Sequence, residues 1–209
     1  MKLAVFGATG KTGKQLVEQA LKAGHEVTVL VRTPSKLTLQ SPKLTVVQGD
    51  VLNQVGVDKV VQGSDAVISV IGQTKGSPQD TQTVAISNII AAMNKYGVKR
   101  LVSLTGAGVD DPHDRPKFAN HLIKLALKLM AGHVLQDAVN HAEVIHKSNL
   151  DWVIVRGPRL NEGPYTGKYR VGWVGVNTSA RISRADLADF ILKQTTDTTY
   201  LRQAPMVSD

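Results

Sequence analysis

Three glycines set three residues apart, Gly7, Gly10 and Gly13, open the chain, with Thr9, Lys11 and Thr12 between them. Residues of these types at this spacing suit one task above others: holding a diphosphate against backbone N–H groups at the start of a helix. Gly7 can make the tight turn, Gly10 leaves room for a pyrophosphate to approach the backbone, and Gly13 lets the helix pack close to a strand. Further along, Arg32 and Lys36 occupy the region where a site for NAD usually carries a carboxylate for the ribose 2′-hydroxyl. A guanidinium there binds a 2′-phosphate through charge-assisted hydrogen bonds, which favours NADP(H) over NAD(H). Ordinary solvated loop charges are the alternative for this basic pair.

Such a cradle needs a strand before it and a helix after it. Lys2–Phe6 reads as a short buried strand, and an amphipathic run from Lys14 places Leu16, Val17, Ala20 and Leu21 on one face. The spacing is not the strict G-x-G-x-x-G pattern. A P-loop is excluded, because that motif needs a glycine at position 5, which is Val5.

Strand-like and helix-like runs then alternate. Strands are expected at Glu26–Val31, Leu44–Gln48, 66–71, 101–105 and 151–155. Helices are expected at Gln54–Val61, 80–96, 117–131 and 134–147, the last two joined near Gly132. Ser183 with Asp186 resembles a capping box for a helix running to about Lys193. This pattern predicts a single α/β domain over 1–209, a Rossmann-like, doubly wound parallel sheet, with substrate-pocket elements in 106–133 and 157–180. Ligands of such sheets bind beyond the carboxyl ends of the strands. That rule selects 7–13, 32–36, Asp50 and Val51, Gly72, Thr105 and Gly106, and 157–160.

Composition narrows the classes. With 209 residues and 42% hydrophobic content, the chain can bury a substantial core. It has no cysteine, which excludes disulfides, thiolate metal sites and thiol catalysis. No apolar run reaches membrane-span length and Met1 leads straight into the first strand, so a cytoplasmic protein without membrane partners is expected. The formal charge of +8 suits anionic ligands such as dinucleotides, flavins or propionate-bearing pigments. Nucleic acid is disfavoured, because the cations are scattered, aromatics are only 4% and no binding motif occurs. The six histidines show no ligating spacing, so no metal is expected and they read as surface or capping residues.

Several segments match a known family. Gly7–Gly13, Val29–Arg32, Gly49-Asp50-Val51, Val153–Pro158, Thr166-Gly167 and Ile182–Ala188 resemble the atypical short-chain dehydrogenase/reductases with NAD(P)H-binding domains. The likeness is greatest to the biliverdin-IXβ reductase/flavin reductase group, with NmrA-like proteins as wider relatives. The resemblance implies that Thr9, Gly10, Lys11, Thr12 and Gly13 hold the pyrophosphate, and Arg32 with Lys36 the 2′-phosphate. It also implies that Asp50 and Val51 meet the adenine edge and that Ile71 and Gly72 pass beside the adenosine ribose. Thr105, Gly106, Pro158, Arg159 and Leu160 would flank the nicotinamide.

The departures concern chemistry. The Tyr-x-x-x-Lys pair of short-chain reductases is missing, since 117–147 contains no tyrosine. Gly106 stands where the flavin-reductase group has a serine, which leaves Thr105 as the nearest hydroxyl. Arg159 stands where that group can carry a histidine; it can stabilise charge on an acceptor or pair with Glu162. Hydride transfer to a flavin chiefly needs stacking at a good distance, whereas a carbonyl needs a proton donor.

The expectation is therefore an NADPH-dependent reductase of a planar, conjugated acceptor such as a flavin, tetrapyrrole or quinone, with Thr105 and Arg159 as catalytic candidates. A flavin would be substrate rather than bound prosthetic group. The alternative is a non-catalytic, NADP(H)-sensing regulator resembling NmrA-like proteins and acting through a protein partner. Three further readings stay open. Residues 110–117 form either a lid or a connection, and Tyr165, Tyr169 and Trp173 either wall a pocket or pack a late strand. The stripe Phe118, Leu122, Leu125 and Leu129, with Ile123, Leu127 and Met130 nearby, reads mainly as core, with a dimer contact possible; monomer and homodimer both stand.

Overall fold

The structure is a computed structural model that describes residues 1–74 and 76–209, leaving the side chains of Ala119, His121, Ile123, Lys124, Leu127 and Met130 undescribed. The elements run β1 (Lys2–Phe6), α1 (Lys11–Lys22), β2 (Glu26–Val31), β3 (Leu44–Gln48), α2 (Gln54–Val61), β4 (Ala66–Ser69), α3 (Thr81–Tyr96) and β5 (Arg100–Gly106). Then follow α4 (Phe118–His146), β6 (Asp151–Gly157), β7 (Arg159–Asn161), β8 (Arg170–Gly172), β9 (Arg181–Ser183), α5 (Arg184–Lys193) and β10 (Met206–Ser208).

The main sheet has the order β3-β2-β1-β4-β5-β6-β10-β8 and is parallel except for the β10–β8 pair. Its strands are apolar on both sides because both sides are covered. Ala4 and Phe6 face one core with Val57 of α2, Ile86 of α3 and Ala138 of α4. Leu3 and Val5 face the other, with Leu16 of α1 and Leu187 of α5. The doubly wound α/β fold is as the sequence predicts. β7 and β9 form a separate two-stranded sheet, and these short strands with β8 and β10 carry no periodicity that a sequence reading could find.

Some boundaries differ from expectation. α1 begins at Lys11 rather than Lys14, because extended Gly10 serves as its N-cap. β4 ends at Ser69, short of Ile71, and β5 and β6 run on to Gly106 and Gly157. The two expected helices of 117–147 are one run, α4, broken at Ala131, whose φ of −146° and ψ of 41° are non-helical. Ser183 caps α5 as expected, accepting a hydrogen bond from Asp186 N at 3.0 Å.

The expected core stripe of α4 is the clearest correction. Phe118, Leu122, Leu125 and Leu129 are 78%, 53%, 54% and 79% exposed. Ahead of the Ala131 break the helix presents this row to solvent, while residues after it, such as Ala138, Ala142 and Ile145, are buried. Of the other residues linked to that stripe, Ile123, Leu127 and Met130 lie outside the described side chains, as does His121.

Candidate active site

The carboxyl ends of β1, β2, β3 and β4 stand side by side, since Phe6 pairs with Leu30 and Ser69, and Leu30 with Val47. The glycine turn leaves from this edge. Gly7 has φ +89°, and a Cβ there would lie 2.8 Å from the Val70 carbonyl carbon and oxygen. A Cβ on Gly13 would lie 2.1 Å from the Gly7 oxygen. Both glycines are therefore required by the fold itself. Gly10 is different: a Cβ would meet only the Gly7 oxygen, at 3.2 Å, a tight contact that a shift of a few tenths of an ångström relieves. The first turn of α1 has no side-chain cap and no acidic residue. Its N–H groups thus have no side-chain acceptor among the described residues. A glycine cradle at an uncapped helix start fits a diphosphate.

Beyond β2, Arg32 and Lys36 are exposed, with Pro34–Lys36 coiled into a single 3-10 turn. Neither cation has an ion-pair partner among the described residues. The turn after β3 is fixed from two sides: Asp50 Oδ1 accepts from Leu52 N at 3.0 Å, and Asn88 donates to the Val51 carbonyl at 2.9 Å. Ile71 packs against the core and Gly72 is exposed. The residues assigned to the adenosine half are thus gathered along one edge.

The other half sits at the ends of β5 and β6. Gly106 pairs with Gly157 and Thr105 with Arg156, so the Thr105-Gly106 segment lies beside the turn that carries Pro158, Arg159 and Leu160. Thr105 is buried and its hydroxyl has no hydrogen-bond partner among the described residues. Arg159 is exposed and, among the described residues, has no ion pair. Glu162, its expected alternative partner, instead accepts from Lys11 Nζ at 2.9 Å and Arg184 Nη1 at 2.8 Å. The hydrogen bond from Lys11, with the charge of Arg184, holds the Glu162 carboxyl below its ordinary range. Lys11, Arg159, Arg181 and Arg184 line a cleft of about 530 Å³ with Glu162 as its one carboxylate, and Asp209 pairs with Arg181 nearby.

Several polar residues here were not legible as a cluster. Fully buried Arg156 forms a two-pronged pair with Asp114, with both N–O distances 2.7 Å, and also donates to the carbonyls of Ala204 and Val109. Asp114 accepts further bonds from Asp111 N and Val174 N. Burial would raise its carboxyl, but the hydrogen bonds and charge of Arg156 win and hold it low. Arg115 N also bonds to the Val174 carbonyl, and a Cβ on Gly175 would lie 1.9 Å from the Arg115 oxygen. The 110–115 segment is therefore pinned, and the connection describes it better than the lid.

Asp137 of α4 does for α3 what that helix's own N-cap residue, Asp80, does not. Its carboxylate accepts from Gln82 N at 2.9 Å, Thr83 N at 3.0 Å and Thr83 Oγ1 at 2.7 Å. Burial pushes its carboxyl up, and these bonds outweigh that and bring it down. One turn later His141 corrects the surface-histidine reading. It is buried, and its Nε2 lies 2.9 Å from Ser103 Oγ of β5, while Nδ1 has no partner among the described residues. Burial lowers its pKa to about 4, so the ring is neutral near pH 7. The aromatic candidates divide. Tyr169 packs edge-on against Phe190 and donates to Asp189 at 2.7 Å, burial and Asp189 pushing its hydroxyl up to about 12. Trp173 lies against His113 with ring centroids 5.2 Å apart, and Tyr165 is exposed.

Comparison with known proteins follows the same lines. A family model described as NAD(P)H-binding matches residues 7–198. The uncharacterized protein YwnB of Bacillus subtilis is 27% identical over 208 residues, covering 93% of this chain and 92% of YwnB. An isoflavone reductase homolog, A622-like, of Nicotiana tabacum is 37% identical over 123 residues, covering 54% of this chain and 37% of the tobacco protein. Among solved structures, the anaerobilin reductase ChuY of Escherichia coli O157:H7 shares the fold with a TM-score of 0.80 at 21% identity, covering 100% of this chain and 97% of ChuY.

Proposed function

This chain belongs to the NAD(P)H-binding family, and from that premise we propose that it is an NADPH-dependent reductase of a planar, conjugated acceptor, most directly a flavin. The observation that supports the cofactor choice is the pair of exposed cations beyond β2, Arg32 and Lys36, without ion-pair partners among the described residues. Two unpaired cations at this edge attract a 2′-phosphate, and no carboxylate among 32–36 competes for it. Gly10 and the first turn of α1 would take the pyrophosphate, Asp50, Val51, Ile71 and Gly72 the adenosine, and Thr105, Gly106, Pro158 and Leu160 the nicotinamide end.

NADPH, when bound, supplies a hydride. The chain's own part is to position and to tune charge. The buried Thr105 hydroxyl has no hydrogen-bond partner among the described residues, a deficit of about 1–3 kcal/mol. Arg159 in its cationic cleft favours an acceptor that carries or develops negative charge. Several other buried polar groups are already engaged: Asp114 with Arg156, Asp137 with α3, and His141 Nε2 with Ser103. With no tyrosine in 117–147, an acceptor that takes its proton from water suits this site better than a carbonyl that needs an adjacent donor.

The reading is tested by following NADPH oxidation with FMN, riboflavin, a quinone and biliverdin offered separately, and NADH in parallel. Turnover with one of them, faster with NADPH, is expected. Tight NADPH binding without turnover on any acceptor would discard the reductase in favour of the NADP(H)-sensing regulator.

A further inference from the structure

The part of α4 ahead of Ala131 carries four of the large apolar residues that the described structure leaves exposed. Phe118, Leu122, Leu125 and Leu129 follow a four-three-four spacing, which keeps them in one row along the helix. All four are more than half exposed. Isolated exposed leucines need no explanation, but a continuous row marks a contact surface.

Charge says what kind. From Arg115 to Gln136 the sequence holds Arg115, Lys117, Lys124 and Lys128 and no Asp or Glu. Arg115, Lys117 and Lys128 are exposed, and Lys128 lies about 100° round the helix from Leu129. An apolar row with lysines at its side and no acid matches a helix lying in the headgroup region of a bilayer, apolar face inward and lysines at the phosphates. Pairing with a second copy of the same row is disfavoured. Charges flanking the seam of such a helix pair often form ion pairs across it, and this segment offers cations only, which would face each other in a pair of identical copies. Crossing the bilayer is not in question, since no helix among the described residues is long and apolar enough. The Ala131 break separates this stretch from the packed remainder of α4, so the row can meet a surface while Asp137 and His141 keep their contacts.

We propose that the outer face of the first part of α4 docks on anionic lipid bilayers. The surface charge of such a membrane contributes about 1 kcal/mol per nearby lysine or arginine, and the four large side chains supply apolar burial. This goes beyond the reductase reading and does not depend on it.

The test is flotation of the full chain with vesicles of phosphatidylcholine, with or without a quarter of phosphatidylserine, at low and physiological salt. The expected result is flotation with the anionic vesicles that weakens with salt. The double variant Leu125→Asn/Leu129→Asn should lower it about tenfold or more, and Lys128→Glu by a smaller factor. Both leucines are exposed, so an unchanged melting temperature would show that the variant is folded. Failure to float, equal flotation on neutral vesicles, or flotation indifferent to the double variant would each overturn the proposal. A dimer in sedimentation that the double variant splits, without flotation, would overturn it too and give the face to a second copy.

Discussion

The two halves of the sheet edge treat their polar groups in opposite ways. Around β1 and β2 the protein leaves several free: the first turn of α1 has no side-chain cap, and Arg32 and Lys36 have no ion-pair partners among the described residues, although Lys11 pairs with Glu162. Around β5 and β6 it spends most of them on itself. Asp114 is matched to Arg156, Asp137 to the start of α3, and His141 Nε2 to Ser103; the Thr105 hydroxyl, His141 Nδ1, Trp173 Nε1 and the cationic cleft around Arg159 are among the groups left over. The first half has donors available to a ligand, and the second spends most of its own on rigidity.

The largest effect that should separate these roles lies within the glycine turn. Gly13→Ala would drive a methyl to 2.1 Å from a backbone oxygen and should cost about 5 kcal/mol or prevent folding. Gly10→Ala meets a single atom at 3.2 Å. It should keep the wild-type melting temperature within a few degrees and weaken NADPH binding about tenfold or more. Thermal melts beside a binding titration would decide, and a Gly10→Ala protein as unstable as Gly13→Ala would remove the distinction.

In the other half, Asp114→Asn keeps the shape but leaves Arg156 charged and buried. The expected loss is about 3–5 kcal/mol in urea unfolding. A change under 1 kcal/mol would mean that the pair is not what holds the 110–115 segment.

His141 gives a loss of similar size that appears only in acid. Its folded pKa, about 4, lies below the usual 6.5, so the unfolded chain binds the extra proton first as pH falls. Its contribution is full above pH 6.5 and is lost on the way down to pH 4, amounting to about 3 kcal/mol over that window. His141→Asn should flatten this part of the stability profile. If wild type and variant lose stability in parallel between pH 6.5 and pH 4, the ring is not buried and neutral as described.

The same contrast explains what the sequence revealed. The free half depends on neighbours in the chain: Gly7, Gly10 and Gly13 sit within one turn and one helix start, and Arg32 follows its strand directly, so local pattern suffices. The committed half depends on partners far apart, such as Asp114 with Arg156 or Gln82 with Asp137. No spacing rule links a strand-end arginine to a loop aspartate. Asp137 and His141 looked like ordinary helix residues, and only the packing of α4 on β5 and α3 makes them partners. The stripe from Phe118 to Leu129 was visible as a pattern, but the pattern cannot say whether its row faces a core or solvent. The break at Ala131 decides that.

The central claim is that the free half selects NADPH through its unpaired cations, and it is met most directly by titrating NADPH and NADH into the wild-type protein and Arg32→Ala. NADPH should bind the wild type more tightly, and the substitution should weaken NADPH about tenfold, or 1.4 kcal/mol, with NADH nearly unchanged. Equal affinity of the wild type for the two cofactors, or equal losses on substitution, would contradict the account.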